Sequence, residues 1–184
     1  MIAYLLASLP TARLGERPEM GLDEFVERCR GFVSEQQWHD LNTLLGPWPT
    51  PKQAPEVPET RDPATLAWAD LSDQIEDAIA RYRGTRAKRD PSDALREPFG
   101  YRVDVVEGVA HAFSLPHPAA RERALDELRW RLADELGLSG RADFAELFAR
   151  AVQLRLAWRW DAWDEEGGWA APEAALRQIE DVNG

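Results

Sequence analysis

Residues 144–169, FAELFARAVQLRLAWRWDAWDEEGGW, decide the fold of this chain, because they hold four of its eight tryptophans and its longest uninterrupted helical pattern. Phe144, Leu147, Phe148, Ala151, Leu154 and Trp158 recur at helical spacing, and Val152, Leu156, Trp160 and Trp163 fall on an adjoining face. A helix that meets a core on one side needs an apolar arc of about 100°. This arc is wider, so the helix is expected to lie between neighbours, starting near Ala142 and stopping at Gly167-Gly168. Its end carries Asp161, Asp164, Glu165 and Glu166. Hard cations need several oxygens converging on one point, whereas these acids are interleaved with indoles and no histidine accompanies them. They read as a solvated helix end that opposes the macrodipole, to be neutralised by Arg155, Arg159 or an arginine from elsewhere.

Upstream, the same periodicity repeats. Tyr4, Leu5, Leu6 and Leu9 form an apolar opening tied into the core. Leu22, Phe25, Val26, Cys29, Phe32 and Val33 make a helical stripe, and Ser34 with Gln37 forms a capping box for a helix that turns Trp38, Leu41, Leu44 and Leu45 inward. Residues 46–63 contain six prolines and Trp48, so neither helix nor central strand persists there. Asp62 and Pro63 then start a helix with Trp68, Leu71, Ile75, Ala78, Ile79 and Tyr82 on its inner face. Asp70, Asp73, Asp77 and Arg81 are expected on its wet face.

In YRVDVVEGVAHAF, Val103, Val106, Val109, Ala110 and Phe113 fit a helix. RVDVV alternates as a strand would, but no comparable second strand is available to pair with it. His117-Pro118 starts a helix with Leu125, Leu128, Leu132 and Leu136 on one stripe, ended by Gly137 or Gly140, and a last helix runs from Pro172. The expectation is one all-α domain over residues 1–184, an irregular bundle of about seven helices with a proline-rich loop.

Composition narrows the function. The net charge of −11 opposes a phosphate-backbone ligand such as nucleic acid. No run approaches the ~20 apolar residues of a spanning helix, and MIAYLLASLP lacks the basic flank of a secretory signal. A soluble, cytoplasmic protein is expected, with lone Cys29 as a small core residue. No phosphate loop, nucleophile elbow or paired-histidine motif occurs, and His39, His111 and His117 fall on separate elements. No catalytic, cofactor or metal residue is therefore assigned. One local exception to the acidity is RYRGTRAKR, with Arg81, Arg83, Arg86, Lys88 and Arg89 within nine residues. It is either a helix end whose cations suit the dipole or a contact for an acidic partner.

The opening YLLASLP with LDEFVERC, the tract LAWADLSDQIEDAI, and HPAARERALDELRWRLADEL leading into LRLAWRWDAWDEEGGW together resemble a bacterial family, domain of unknown function 2764, encoded beside subunits of V/A-type rotary ATPases. The resemblance implies a small all-helical protein similar in architecture to the helical C (d) subunit. Its expected partners are stalk or rotor-ring subunits, and its expected place is cytoplasmic, peripheral to the membrane through the complex. Interfaces favour Trp, Tyr and Arg as anchors, so the candidate contacts are Trp48, Trp160, Trp163 and Trp169 with Arg81, Arg83, Arg86 and Arg89. Two other readings stand beside this one: a free-standing helical adaptor with a peptide groove, and an enzyme using the carboxylates near Asp164.

Overall fold

The computed structural model describes residues 1–46, 62–96, 100–138 and 143–161. Among them are seven α-helices and no strand: α1 Ile2–Ser8, α2 Leu22–Cys29, α3 Glu35–Leu45, α4 Pro63–Ala87, α5 Val103–Ser114, α6 Pro118–Gly137 and α7 Phe144–Asp161. The all-α reading holds, and YRVDVVEGVAHAF is helical. The apolar opening is itself the helix α1. The helix expected from Pro172 and the stop at Gly167-Gly168 lie outside the described residues.

The helix starts follow from their capping residues. Ser34 Oγ accepts the Gln37 N–H at 3.2 Å while Gln37 Oε1 accepts the Ser34 N–H at 3.1 Å, which is the capping box. Asp62 caps α4 through the Ala64 N–H at 2.9 Å, with Pro63 in the first turn, where no amide is needed. α7 is capped by Asp143, whose Oδ1 accepts from the Ala145 N–H at 3.1 Å.

α7 is the central element. Its buried residues include Phe144, Leu147, Phe148, Ala151, Val152, Leu154, Leu156 and Ala157, on more than one face. It packs against α6, α3, α4, α1 and α2. Around it, Leu5, Leu6 and Leu9, Phe25, Val26 and Cys29, and Leu41 and Leu45 complete one apolar cluster. A second cluster joins Ile75, Ala78 and Ile79 of α4, Val105, Val109 and Ala112 of α5, and Leu125, Leu128 and Leu132 of α6. Trp68 of α4 touches both clusters, so α4 runs from one into the other.

Two buried carboxylates fasten this arrangement. Asp40 of α3 accepts the backbone N–H of Asp62 at 3.0 Å and the Thr65 hydroxyl at 2.8 Å, and Gln37 Nε2 donates to Asp62 at 2.9 Å. The first half of α3 and the start of α4 are thereby tied together. Asp126 of α6, with no exposed surface, accepts from Arg129 at 2.7 Å, from Arg159 at 2.9 and 3.0 Å, and from the Trp160 indole N–H at 3.0 Å.

Several expectations are corrected. Tyr4 is 76% exposed, because the short α1 turns only Leu5, Leu6 and Leu9 inward. Asp77 is 5% exposed rather than wet, and its Oδ1 accepts the backbone N–H of Arg96 at 2.9 Å. On α5 the inner face is Val105, Val109 and Ala112, leaving Val103 and Ala110 exposed. Of the acids at the end of α7, Asp161 has an arginine from elsewhere, Arg17 at 3.9 Å, as one of the three alternatives had it, while Arg159 serves Asp126 and Glu122 and Asp164, Glu165 and Glu166 lie outside the described residues.

Removing one member of a buried ion cluster strands the others. Asp126→Ala is expected to lower unfolding free energy by about 3 kcal/mol in urea titrations, with the m-value unchanged. Cys29 is fully buried, and burial pushes its thiol up to about 12. Folded protein is therefore expected to leave a disulfide reagent such as DTNB unreacted, with one thiol appearing on unfolding.

Candidate docking surface

The basic segment occupies the last two turns of α4 and the turn after it. Lys88 ends the helix in the left-handed region at φ 53°, and the Arg89 N–H returns to the Gly84 carbonyl at 2.9 Å. A Cβ on the buried Gly84 would lie 3.0 Å from the Arg89 carbonyl oxygen and 3.1 Å from Pro91 Cβ. The missing side chain lets the chain fold back closely, and this gathers Arg81, Arg83, Arg86, Lys88 and Arg89 around one helix end. All five are exposed.

Their electrostatic setting is unlike that of the other arginines. Among the described residues none of the five has a carboxylate ion-pair partner. Outside the segment, eleven described arginines have one. Arg121 instead donates to the carbonyls of Leu115 and Pro116, and Arg155 has interactions of its own. Arg83 lies 5.5 Å from the Phe113 ring centroid, and Phe113 in turn stacks on Tyr82 at 4.8 Å. The C-terminal end of α4 favours cations, which accounts for their position on the helix but not for their freedom from carboxylates in so acidic a chain.

Beside Arg81 and Arg86 runs an open groove of 390 Å³ between α4 and α5. Its α4 wall is Ala78, Arg81, Tyr82, Thr85 and Arg86, one face of the helix over about 12 Å. Val106, Val109 and Ala110 form the α5 wall, and Tyr101, 72% exposed, lines one mouth. The floor is apolar, since Ala78 and Val109 are buried, and the cations stand on the rim. A pocket of 130 Å³ shares Ala78, Arg81, Tyr101 and Val106 and extends the groove toward Arg102.

Acids next to this extension are already engaged. Arg102 donates to Asp104 at 2.8 and 3.0 Å and to Glu135 at 2.6 Å, while Arg131 donates to Asp104 at 3.0 Å. The hydrogen bonds from Arg102, then the Arg131 bond and both positive charges, outweigh desolvation and hold the Asp104 carboxyl at about 2. The same bonds raise the Arg102 guanidinium.

The other candidate residues are scattered. Trp48, Trp163, Trp169 and Asp164 lie outside the described residues. Trp160 is half-buried, donates to Asp126 and has Arg123 5.1 Å from its ring, so its own chain holds it. His39, His111 and His117 are exposed on separate elements. No group of three or more His, Cys, Asp or Glu among the described residues is placed to hold a metal, and no helix among them is long and apolar enough to cross a membrane. The chain matches no protein-family model, no curated protein and no solved structure. The cations are visible in sequence, but the groove depends on how α4 and α5 meet. Its only sequence trace is the surplus of apolar residues on α5, where Val103, Val106 and Ala110 exceed what one buried face needs.

A carboxylate held below its ordinary 3.8 stabilises the fold above that value and loses the contribution as pH falls through about 2. Asp104→Asn is expected to be less stable than the parent at pH 5 and above. The gap should narrow between pH 4 and pH 2 in denaturant titrations over that range.

Proposed function

We propose that this chain is a non-catalytic docking protein that binds an acidic protein surface through the basic end of α4. The observation that carries this reading is the set of five exposed cations without carboxylate partners among the described residues, where most other arginines are ion-paired. Desolvating a lone exposed cation is costly unless the partner supplies the missing negative charge, so such a surface selects for carboxylates. Stalk or rotor-ring subunits of a V/A-type rotary ATPase are the partners suggested by the motif resemblance, with this chain as a subunit or assembly factor.

The titratable groups inside the protein support a structural part for themselves. Both oxygens of Asp126 and both of Asp40 accept hydrogen bonds from their own chain, and the Cys29 thiol is sealed in the core. None is presented to a substrate. The second reading, a free-standing adaptor, draws on the open apolar groove between α4 and α5.

The two readings separate in a pull-down of the tagged full chain from its native host at moderate salt, read by mass spectrometry. Recovery of stalk or rotor-ring subunits, reduced at least tenfold by Arg86→Glu with Arg89→Glu, is the expected outcome. Equal recovery by the charge-reversed variant would overturn the role of the basic end. Absence of ATPase subunits while the assembled enzyme is present would leave the adaptor reading.

A further inference from the structure

We infer that the α4–α5 groove is the seat of an acidic amphipathic segment of a partner protein, with an apolar side chain lodged over Ala78 and Val109 and flanking carboxylates on Arg81 and Arg86. The inference rests on the docking reading and adds to it the kind of segment that binds and where its anchor goes.

Three features of the groove specify the occupant. Its walls are stripes of two helices, i, i+3, i+4 and i+7 on α4 and i, i+3 and i+4 on α5, so the floor is apolar and elongated over about two turns. That length suits one or two large apolar side chains spaced a helical turn apart. Next, Arg81 and Arg86, on opposite sides of the α4 wall, both line the groove, and neither is tied to a carboxylate among the described residues. Carboxylates placed beside the anchor would meet both guanidinium groups in a partly desolvated setting, where charge-assisted hydrogen bonds are strongest. Finally, Tyr101 at 72% and Val103 at 58% exposure leave large apolar surface uncovered beside the groove. An aromatic with a free hydroxyl at the mouth is suited to close over an anchor.

Charge complementarity separates this occupant from other polyanions. A nucleic acid or an anionic lipid surface brings no apolar side chain for the floor, and, extending past the basic end as a short acidic segment does not, it would meet the repulsion of a chain with net charge −11. A second copy of this acidic chain is the remaining competitor, and its signature is concentration-dependent mass.

The test pans a displayed library of random 16-residue peptides against the immobilised full-length protein and measures the selected peptides by fluorescence anisotropy. The expected winners carry Leu, Ile, Phe or Trp at i and i+3 or i+4 with Asp or Glu between them. Two variants probe the two halves of the groove. Ala110→Trp fills it without changing charge at an exposed helical position, and Arg81→Glu with Arg86→Glu reverses the rim. Each should weaken the selected peptides at least tenfold with circular dichroism and melting unchanged. Winners without acids, equal binding to Ala110→Trp, or tighter binding of a single-stranded oligonucleotide or phosphatidylserine vesicles would overturn the inference. A dimer in light scattering that Ala110→Trp dissolves would assign the groove to a second copy instead. Running Ala110→Trp in the host pull-down distinguishes the failures. Undiminished capture of ATPase subunits sinks the groove assignment alone, whereas no capture by the parent chain sinks the ATPase reading.

Discussion

Asp126 is the constraint on which the rest of the molecule depends. A carboxylate without solvent contact costs several kcal/mol to desolvate unless donors replace the lost water. Here Arg129 of its own helix, Arg159 of α7 and the Trp160 indole all supply them. Because two of the three donors come from α7, the network fixes both the rotation and the axial position of α7 against α6. Once α7 is placed, α1, α2 and α3 have a surface to pack on, and the first apolar cluster closes. The outer donors are neutralised in turn, with Glu122 taking Arg159 and Glu76 lying near Arg129, so the buried charge is backed by a second layer of charge.

In the docking mode proposed above, the basic end and the groove divide the physical work of recognition. Attraction between exposed charges decays over about 8 Å at physiological ionic strength, so five cations on one helix end steer an acidic partner and orient it. Holding the partner requires burial of apolar surface, which is insensitive to salt and roughly proportional to area. Placing the cations on the rim and the apolar residues on the floor puts both effects on one ligand segment. The fold-back at Gly84 contributes to this, since it turns Arg89 back against the last turn of α4 instead of carrying it away along the chain.

Local chemistry was legible in sequence wherever the partner lies within a turn. The Ser34 capping box, the Asp62-Pro63 start and the two-sided burial of α7 all rest on residues no more than four apart, and each is present. Asp77 was misread because its partner is the backbone of Arg96, 19 residues away. A carboxylate in an acidic tract looks wet until the chain folds back onto it. Asp126, on which the sequence offers no reading, likewise takes its donors from far along the chain, and the Trp160 indole, a candidate anchor, is one of them. Tyr4 was misread because a seven-residue helix has too narrow an inner face to bury four large side chains. The cations of the candidate site were read directly, whereas the groove arises from the meeting of two helices and has no contiguous motif.

The clasp between Asp40 and Asp62 has a consequence for how this protein can vary. It joins Gln37 and Asp40, in the first two turns of α3, to the start of α4 through hydrogen bonds that do not involve residues 47–61. Closing a longer connection across fixed ends costs only about 0.6 kcal/mol for each doubling of length. Moderate changes of length between residues 47 and 61 therefore leave the hydrogen bonds of the clasp, and with them the register of α3 against α4, in place.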